Sequence, residues 1–211
     1  MLRFASAKNV FIVSLIYTSL AAIFIQFLLL PIFMPELNWI DLEWTPNGGF
    51  GLLSGFDSQT FHKEASVIAR SIAQGGDWSF FEFQGSISGL VAIFYYITGI
   101  HEPYVLIPFN ALIHSLAAVL IYYLINFIMN DRASSFFGAA IFIFLPTSMF
   151  WFAQMHKDGV FILGIFLFIF GFIGILKNLL DGKIILTLTL LTFPIFGNFL
   201  SVIMRPYYAP V

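Results

Sequence analysis

Long, uninterrupted apolar runs constrain this chain more than any other feature of its sequence. A helix that crosses the hydrocarbon core of a bilayer needs about 20 apolar residues. Lipid admits only helices or closed barrels, because no water satisfies backbone polar groups there. The runs are continuous rather than alternating, so they predict helices. Those long enough to cross lie at about residues 9–34, 104–129, 133–152, 159–177 and 183–204.

The composition is typical of a membrane protein and not of a water-soluble globular protein. Of 211 residues, 60% are hydrophobic and only 9% are charged, whereas soluble domains have about 25% charged residues. The chain has no cysteine, which excludes a disulfide framework and a thiol nucleophile. No basic run or stripe is present, so nucleic acid is not expected as a partner.

A shorter apolar run at residues 86–100 decides the sidedness of everything after it. As a helix it would rise only about 22 Å, less than the roughly 30 Å of hydrocarbon. If it does not cross, most basic residues lie in the cytoplasm, as the positive-inside rule requires. We therefore predict a juxtamembrane or re-entrant helix on the outer face. The residues then placed inside are Arg3, Lys8, Arg132, Lys177 and Lys183.

The predicted fold is an all-α polytopic membrane protein with a single membrane domain over residues 1–211. It has about five transmembrane helices, a cytoplasmic N-terminus and an external C-terminus, and we expect it in the cell inner membrane. A long outer loop at residues 35–103 carries helices at about 57–74 and 86–100. The first run lacks a small-residue cleavage site, so it predicts a retained signal anchor.

The first polar cluster lies in the outer loop and begins at Asp57. Apolar residues recur after it at helical spacing, from Phe61 to Ile72, which predicts an amphipathic helix on the outer leaflet. Asp57 or Ser58 can cap this helix. Alternatively, Asp57 is a carboxylate at the water–lipid boundary that accepts a proton from an acceptor hydroxyl or binds a metal.

Two further residues of this helix are candidates for polar chemistry. Glu64 lies two turns after Asp57, and either forms a paired acid with it or belongs to a solvated helix face. His62 stands among scattered carboxylates, which by itself does not define a metal site.

The second cluster joins two apolar runs at His156-Lys157-Asp158. Trp151, a few residues earlier, is typical of the aromatic belt at a membrane interface. Asp158 stands at the start of the next helix, where the helix dipole favours a negative charge. Capping does not explain the adjacent Lys157 and His156, and a lysine suits a phosphate oxygen as a point charge.

The third cluster begins at Arg205, where the last run ends. Arg205 either anchors the span or binds a lipid phosphate through its planar fork. Helix–helix hydrogen bonding accounts for the polar residues inside the runs, and no row of buried acids or bases predicts an ion path. Those residues are Asn110, His114, Asn126 and Asn198.

In the order and spacing of these features, the chain resembles the N-terminal half of the GT-C superfamily of polyprenyl-phosphate-sugar-dependent membrane glycosyltransferases. That superfamily includes protein O-mannosyltransferases, the aminoarabinose transferases of lipid A and the catalytic subunit of oligosaccharyltransferase. The resemblance covers essentially the whole chain. The segments that carry it are Asp57-x4-His62-x2-Ala65, Pro146-x4-Trp151-x5-Lys157-Asp158 and Gly99-Ile100-His101-Glu102-Pro103.

The resemblance implies transfer of a sugar from a polyprenyl-phosphate carrier to a glycan, lipid or protein acceptor at the outer face. On this basis Asp57 is the general base and Asp158 is the second catalytic acid. The two are then expected to converge on one site despite their separation in sequence. The residues expected to bind substrate are Lys157 and Arg205 at the carrier phosphate, with His62, Glu64 and His156.

Members of the superfamily usually carry a paired acidic motif at one of the two sites, whereas Ser58 follows Asp57 and Gly159 follows Asp158 here. We therefore expect no resident cofactor, although a divalent metal stays open. Members of the superfamily have more spans than the five predicted here. We therefore expect an incomplete N-terminal fragment, inactive alone, or one half of a complex with a complementary membrane subunit.

Two other functions remain open at the level of sequence. A small transporter or flippase-like subunit needs polar groups at the bilayer midplane, for which Asn110, His114 and Asn198 are the candidates. A non-catalytic membrane scaffold would bind a partner through its outer loop, with the aromatic stretch at residues 78–83 as the contact surface.

Overall fold

A computed structural model describes residues 6–39, 51–54, 57–78 and 86–205. Helices dominate these residues, and the only strand-like pairing among them is an isolated bridge between Asn38 and Leu53. The predicted all-α class is therefore confirmed for this part of the chain. The helices are α1 (Ala7–Phe24, continued by a π-helical stretch at Ile25–Phe33), α2 (Asp57–Ala73), α3 (Ser86–Thr98), α4 (Ile107–Met129, after a 3₁₀ turn at Pro103–Leu106), α5 (Arg132–Phe144), α6 (Pro146–Ala153), α7 (Asp158–Leu180), α8 (Ile184–Leu190) and α9 (Thr192–Met204).

Four helical stretches of the described chain are long and apolar enough to cross a membrane: Ala7–Phe33, Pro103–Met129, Asp158–Leu180 and Ile184–Met204. The predicted span at 133–152 is broken in two, because Leu145 is extended and Pro146 begins a new helix. Proline restricts the residue before it to extended conformations, which ends α5 there. The broken pair makes a fifth span only if α5 and α6 are counted together.

The short apolar run becomes α3, which has 13 residues and falls short of the about 20 needed to cross. It packs along α2. The apolar side of α2 is buried in the protein at Phe61, Ala65 and Ile68, whereas the sequence placed this side on the outer leaflet. After α2 the chain turns at Gly75, whose φ is +82°.

The chain divides into two compact units. The first unit comprises residues 1–15, 113–145 and 158–211, and the second comprises residues 16–112 and 146–157.

In the first unit, α7 and α9 approach each other at backbone distance. A Cβ added to Gly164 would lie 2.7 Å from the Gly197 carbonyl oxygen, so neither position has room for a side chain. Small residues at a helix interface allow this approach, as they do between membrane helices. A hydrogen bond between the buried side chains of Ser14 and His114, 3.1 Å long, joins α1 to α4 in the same unit.

Candidate functional site

The Asp57 carboxylate is exposed on the first residue of α2. Backbone N–H groups at a helix start favour a negative charge there. Two residues later, the Gln59 side-chain amide donates a 3.0 Å hydrogen bond to the Leu53 carbonyl. The start of α2 is thereby attached to the segment at residues 51–54.

A buried glutamine, Gln154, holds this segment from the other side. Its Oε1 accepts a hydrogen bond from the Leu53 N–H at 3.1 Å, and its Nε2 donates to the Gly51 carbonyl at 2.8 Å. The backbone carbonyl of Gln154 in turn accepts from the Asn110 side chain of α4 at 3.0 Å. A single side chain therefore satisfies two backbone groups of a loop and fixes their position.

Gly51 is required where this loop passes α1. Its φ is +89°, and an added Cβ would lie 2.5 Å from the Cβ of Gln26. Gln26 is itself buried, and it donates a 2.6 Å hydrogen bond to the Ala153 carbonyl at the end of α6. The sequence analysis did not identify Gln26 or Gln154 as structural residues. The available signal was an amide side chain inside or beside a long apolar run, where it needs a hydrogen-bond partner.

A cavity of about 290 Å³ opens in the second unit between this loop and the end of α6. We name it the aromatic pocket. The Trp151 and His156 rings meet edge to face there, with centroids 4.7 Å apart. The lining residues are Leu37, Leu53, Ser54, Phe150, Trp151 and His156.

His62 lies between α2 and α3 and is fully buried. Its Nδ1 forms a 2.7 Å hydrogen bond with the Tyr95 hydroxyl, and the Tyr95 ring stacks on His101. Glu64, a candidate like His62, accepts a 2.6 Å hydrogen bond from the Ser88 hydroxyl of α3. Both candidate substrate ligands therefore make contacts that hold α2 against α3.

Burial shifts the titration of the residues around Tyr95. It raises the pKa of Tyr95 well above its usual value, with a smaller contribution from the charge of Glu102. It also raises the pKa of Glu102 and, together with the positive charge of Arg70, lowers the pKa of His101. In each case the environment disfavours the charged form.

The other predicted substrate ligands of the second unit lie after α6. The Lys157 ammonium is 5.7 Å from the centroid of the Phe61 ring, a cation–π distance. His156 lines the aromatic pocket. Both side chains are half-buried.

In the first unit, Arg205 forms an ion pair with Asp158. The side chains are 26% and 17% exposed, and the guanidinium lies 4.9 Å from the centroid of the Phe161 ring. Asp158 begins α7 and Arg205 follows α9, so the pair joins the ends of these helices. The convergence of Asp158 with Asp57 of the second unit stays a prediction.

No group of three or more histidine, aspartate or glutamate side chains within the described ranges is arranged to hold a metal ion.

Comparisons with protein-family models, curated proteins and solved structures found no match to this chain.

Proposed function

We propose that this chain is an integral membrane protein that transfers a sugar from a polyprenyl-phosphate donor to an acceptor at the outer membrane face, as a whole enzyme or the N-terminal part of one. One observation carries the proposal: an exposed carboxylate, Asp57, begins a helix that is hydrogen-bonded to the wall of the aromatic pocket. The pocket and the carboxylate thus share one structural support.

The chemistry asked of the protein is limited, because a sugar on a phosphate is already activated. The acceptor oxygen or nitrogen attacks the anomeric carbon, the bond from that carbon to the phosphate oxygen breaks, and the phosphate leaves with the bonding electrons. Asp57 accepts the proton that the acceptor loses. The remaining work is to orient the two substrates and to stabilise the departing phosphate.

Lys157 is the proposed ligand of the carrier phosphate. In this contact its ammonium packs against an aromatic ring and not against a carboxylate. Arg205 was the other candidate, but its guanidinium is bonded to Asp158. A phosphate would have to displace that carboxylate, so we assign Arg205 to holding Asp158.

The exposed side chains support placement in a membrane. Large apolar residues are presented outward along the long helices, including Leu180 at 89% and Ile185 at 84% exposure. Exposed apolar residues in this number are costly in water. A lipid-borne donor also accounts for a site at the bilayer surface. The inner membrane is part of this proposal, as are the cytoplasmic N-terminus and the outer-face site, which rest on the charge distribution of the sequence.

Intramolecular hydrogen bonds favour the transferase over a transporter. Two of the polar residues available for a transport path, His114 and Asn110, bond to Ser14 and to the Gln154 carbonyl. Such bonds are those expected between packed helices. The aromatic stretch proposed for a scaffold falls outside the described residues except for Trp78.

The test measures sugar transfer in membranes from the native source, supplied with labelled polyprenyl-phosphate hexoses. Loss of a general base lowers the rate by about 10²–10⁴-fold, so we expect that loss for Asp57→Asn at unchanged protein level. The matched control is Asp77→Asn, which alters another exposed carboxylate just after α2 and should retain the wild-type rate. Wild-type transfer by Asp57→Asn, or no transfer by the native membranes, would overturn the proposal.

A further inference from the structure

We infer that the aromatic pocket binds a single sugar ring, with the ring's C–H face against Trp151 and its hydroxyl groups toward Ser54 and His156. This inference deepens the proposed function and rests on it for the class of substrate. It adds a binding site and names the residues that select a sugar.

The size of the pocket limits what it holds. Its volume is about 290 Å³, just below the roughly 300–1,000 Å³ of most ligand pockets. One six-membered ring is therefore a better match than a lipid chain. A larger apolar groove of about 620 Å³, between α4, α7 and α9 of the first unit, has room for a longer occupant. Its walls include Leu116, Leu120, Leu163 and Phe196.

The aromatic walls of the pocket suit the C–H side of a sugar ring, and Ser54 and His156 are the polar residues of its lining. Phe150 and Trp151 are exposed large aromatics that line a concave space. The negative face of an aromatic ring attracts weakly positive C–H groups, which a sugar presents on one side. The Ser54 hydroxyl donates or accepts a hydrogen bond, and the His156 imidazole does the same.

The pocket wall is held in place before any ligand binds. The Leu53 N–H is bonded to Gln154 and the Leu53 carbonyl is bonded to Gln59. Fixing a wall in advance lowers the entropic cost of binding. Because Gln59 lies in the same helical turn as Asp57, the bonds that fix the wall also fix the proposed base.

The test is ¹⁹F NMR of the full chain in lipid nanodiscs, with 5-fluorotryptophan at the four tryptophan positions. The Trp151 resonance is assigned by its loss in Trp151→Phe. We expect methyl hexosides to shift that resonance saturably at millimolar concentrations and to leave the exposed Trp78 unchanged. Methylcyclohexane is the ring-sized apolar control and should not compete.

Two variants test the geometry. Gln154→Leu releases the wall and should weaken hexoside binding at least tenfold, whereas Gln74→Leu, at an exposed glutamine after α2, should not. Ser54→Val alters an exposed residue of the lining, so it tests the pocket without disturbing buried structure. It should weaken binding several-fold.

The outcomes separate this inference from the proposed function. A response to methylcyclohexane equal to that for hexosides, no saturable shift with any hexoside, or unchanged binding by Ser54→Val would overturn the inference. Saturable hexoside binding in a protein whose native membranes transfer no sugar would support the pocket and refute the transferase. Transfer with an unchanged KM in Trp151→Ala would refute the pocket alone.

Discussion

The Asp158 carboxylate and the Arg205 guanidinium are largely removed from solvent, and each neutralises the other. The arginine also packs on the Phe161 ring, which combines cation–π attraction with burial of its apolar stem. Removing one partner leaves the other charge partly buried without this ion pair, which costs more than the pair contributes on its own. The expected consequence is strong coupling between the two positions.

A double-mutant cycle measures this coupling. We expect Asp158→Asn and Arg205→Gln each to lower the free energy of unfolding by about 2 kcal/mol, and the double variant to lose less than the sum. Thermal unfolding in detergent provides the measurement. The control is the exposed pair of Lys183 with Asp181, where Asp181→Asn should cost well under about 1 kcal/mol. Additive losses at positions 158 and 205 would contradict the coupling.

At the scale of the element, α5 begins at a side-chain cap. Asp131 accepts hydrogen bonds from the backbone N–H groups of Ala133 and Ser134 and from the Ser134 hydroxyl. The Ser134 hydroxyl contributes most to lowering the pKa of Asp131, followed by the backbone N–H groups. The folded pKa therefore lies below the unfolded one. The cap stabilises the fold above the unfolded pKa, and this contribution is lost as the pH falls through the folded value.

Because the cap is charged, we expect it to make the stability of the protein depend on pH, which a neutral residue at this position would not do. Asp131→Ala should lower the unfolding midpoint at pH 7 by about 2–4 °C. Asp131→Asn retains a capping oxygen and should lose less. Midpoints measured from pH 7 to pH 3 should fall less steeply in both variants than in the wild type. Equal slopes for all three proteins would exclude a role for the Asp131 charge.

The α7–α9 pair depends on the absence of side chains at its contact. Gly197 faces the backbone of α7, including the Gly164 carbonyl. A size series at this position, Gly197→Ala and Gly197→Leu, should destabilise the fold progressively, reaching about 1–3 kcal/mol or more from overpacking. Phe199→Leu, at an exposed position of α9, serves as the control. Wild-type stability of Gly197→Leu would show that the two helices do not pack closely.

At the scale of the whole molecule, the side of the membrane reached by each connection is a direct prediction. The chain has no cysteine, so single cysteines can be introduced without background. With five crossings and a cytoplasmic N-terminus, an impermeant maleimide should label Asp77→Cys and Asp158→Cys on intact cells. It should label Asp131→Cys and Asp181→Cys only after permeabilisation.

The labelling also decides the proposed function. If position 158 is reached only from the cell interior, Asp158 cannot act with an outer-face site, and the five-crossing arrangement fails. Equal labelling of positions 131 and 158 in every condition would show that the broken pair of α5 and α6 does not cross.

Particular residues show how far the sequence could predict the fold and the site. Four long helices follow directly from apolar runs. The number of apolar residues needed to cross a membrane and the hydrogen bonding of the backbone within a helix are both local properties of the chain. The helix predicted from about residue 57 is present as α2, because the spacing of its apolar residues is also a local signal. The burial of His62 against Tyr95 was not visible in the sequence, because an amphipathic stripe is the same whether it faces lipid or another helix.

The helical class and the four long apolar helices follow from the amino-acid sequence alone, since both depend on residue type over short stretches of chain. Which polar groups meet is visible only in the folded chain. Gln154 reaches Leu53 across 101 positions, and Arg205 reaches Asp158 across 47. An amide or a carboxylate buried in apolar surroundings must find a partner, but its residue type does not say which one.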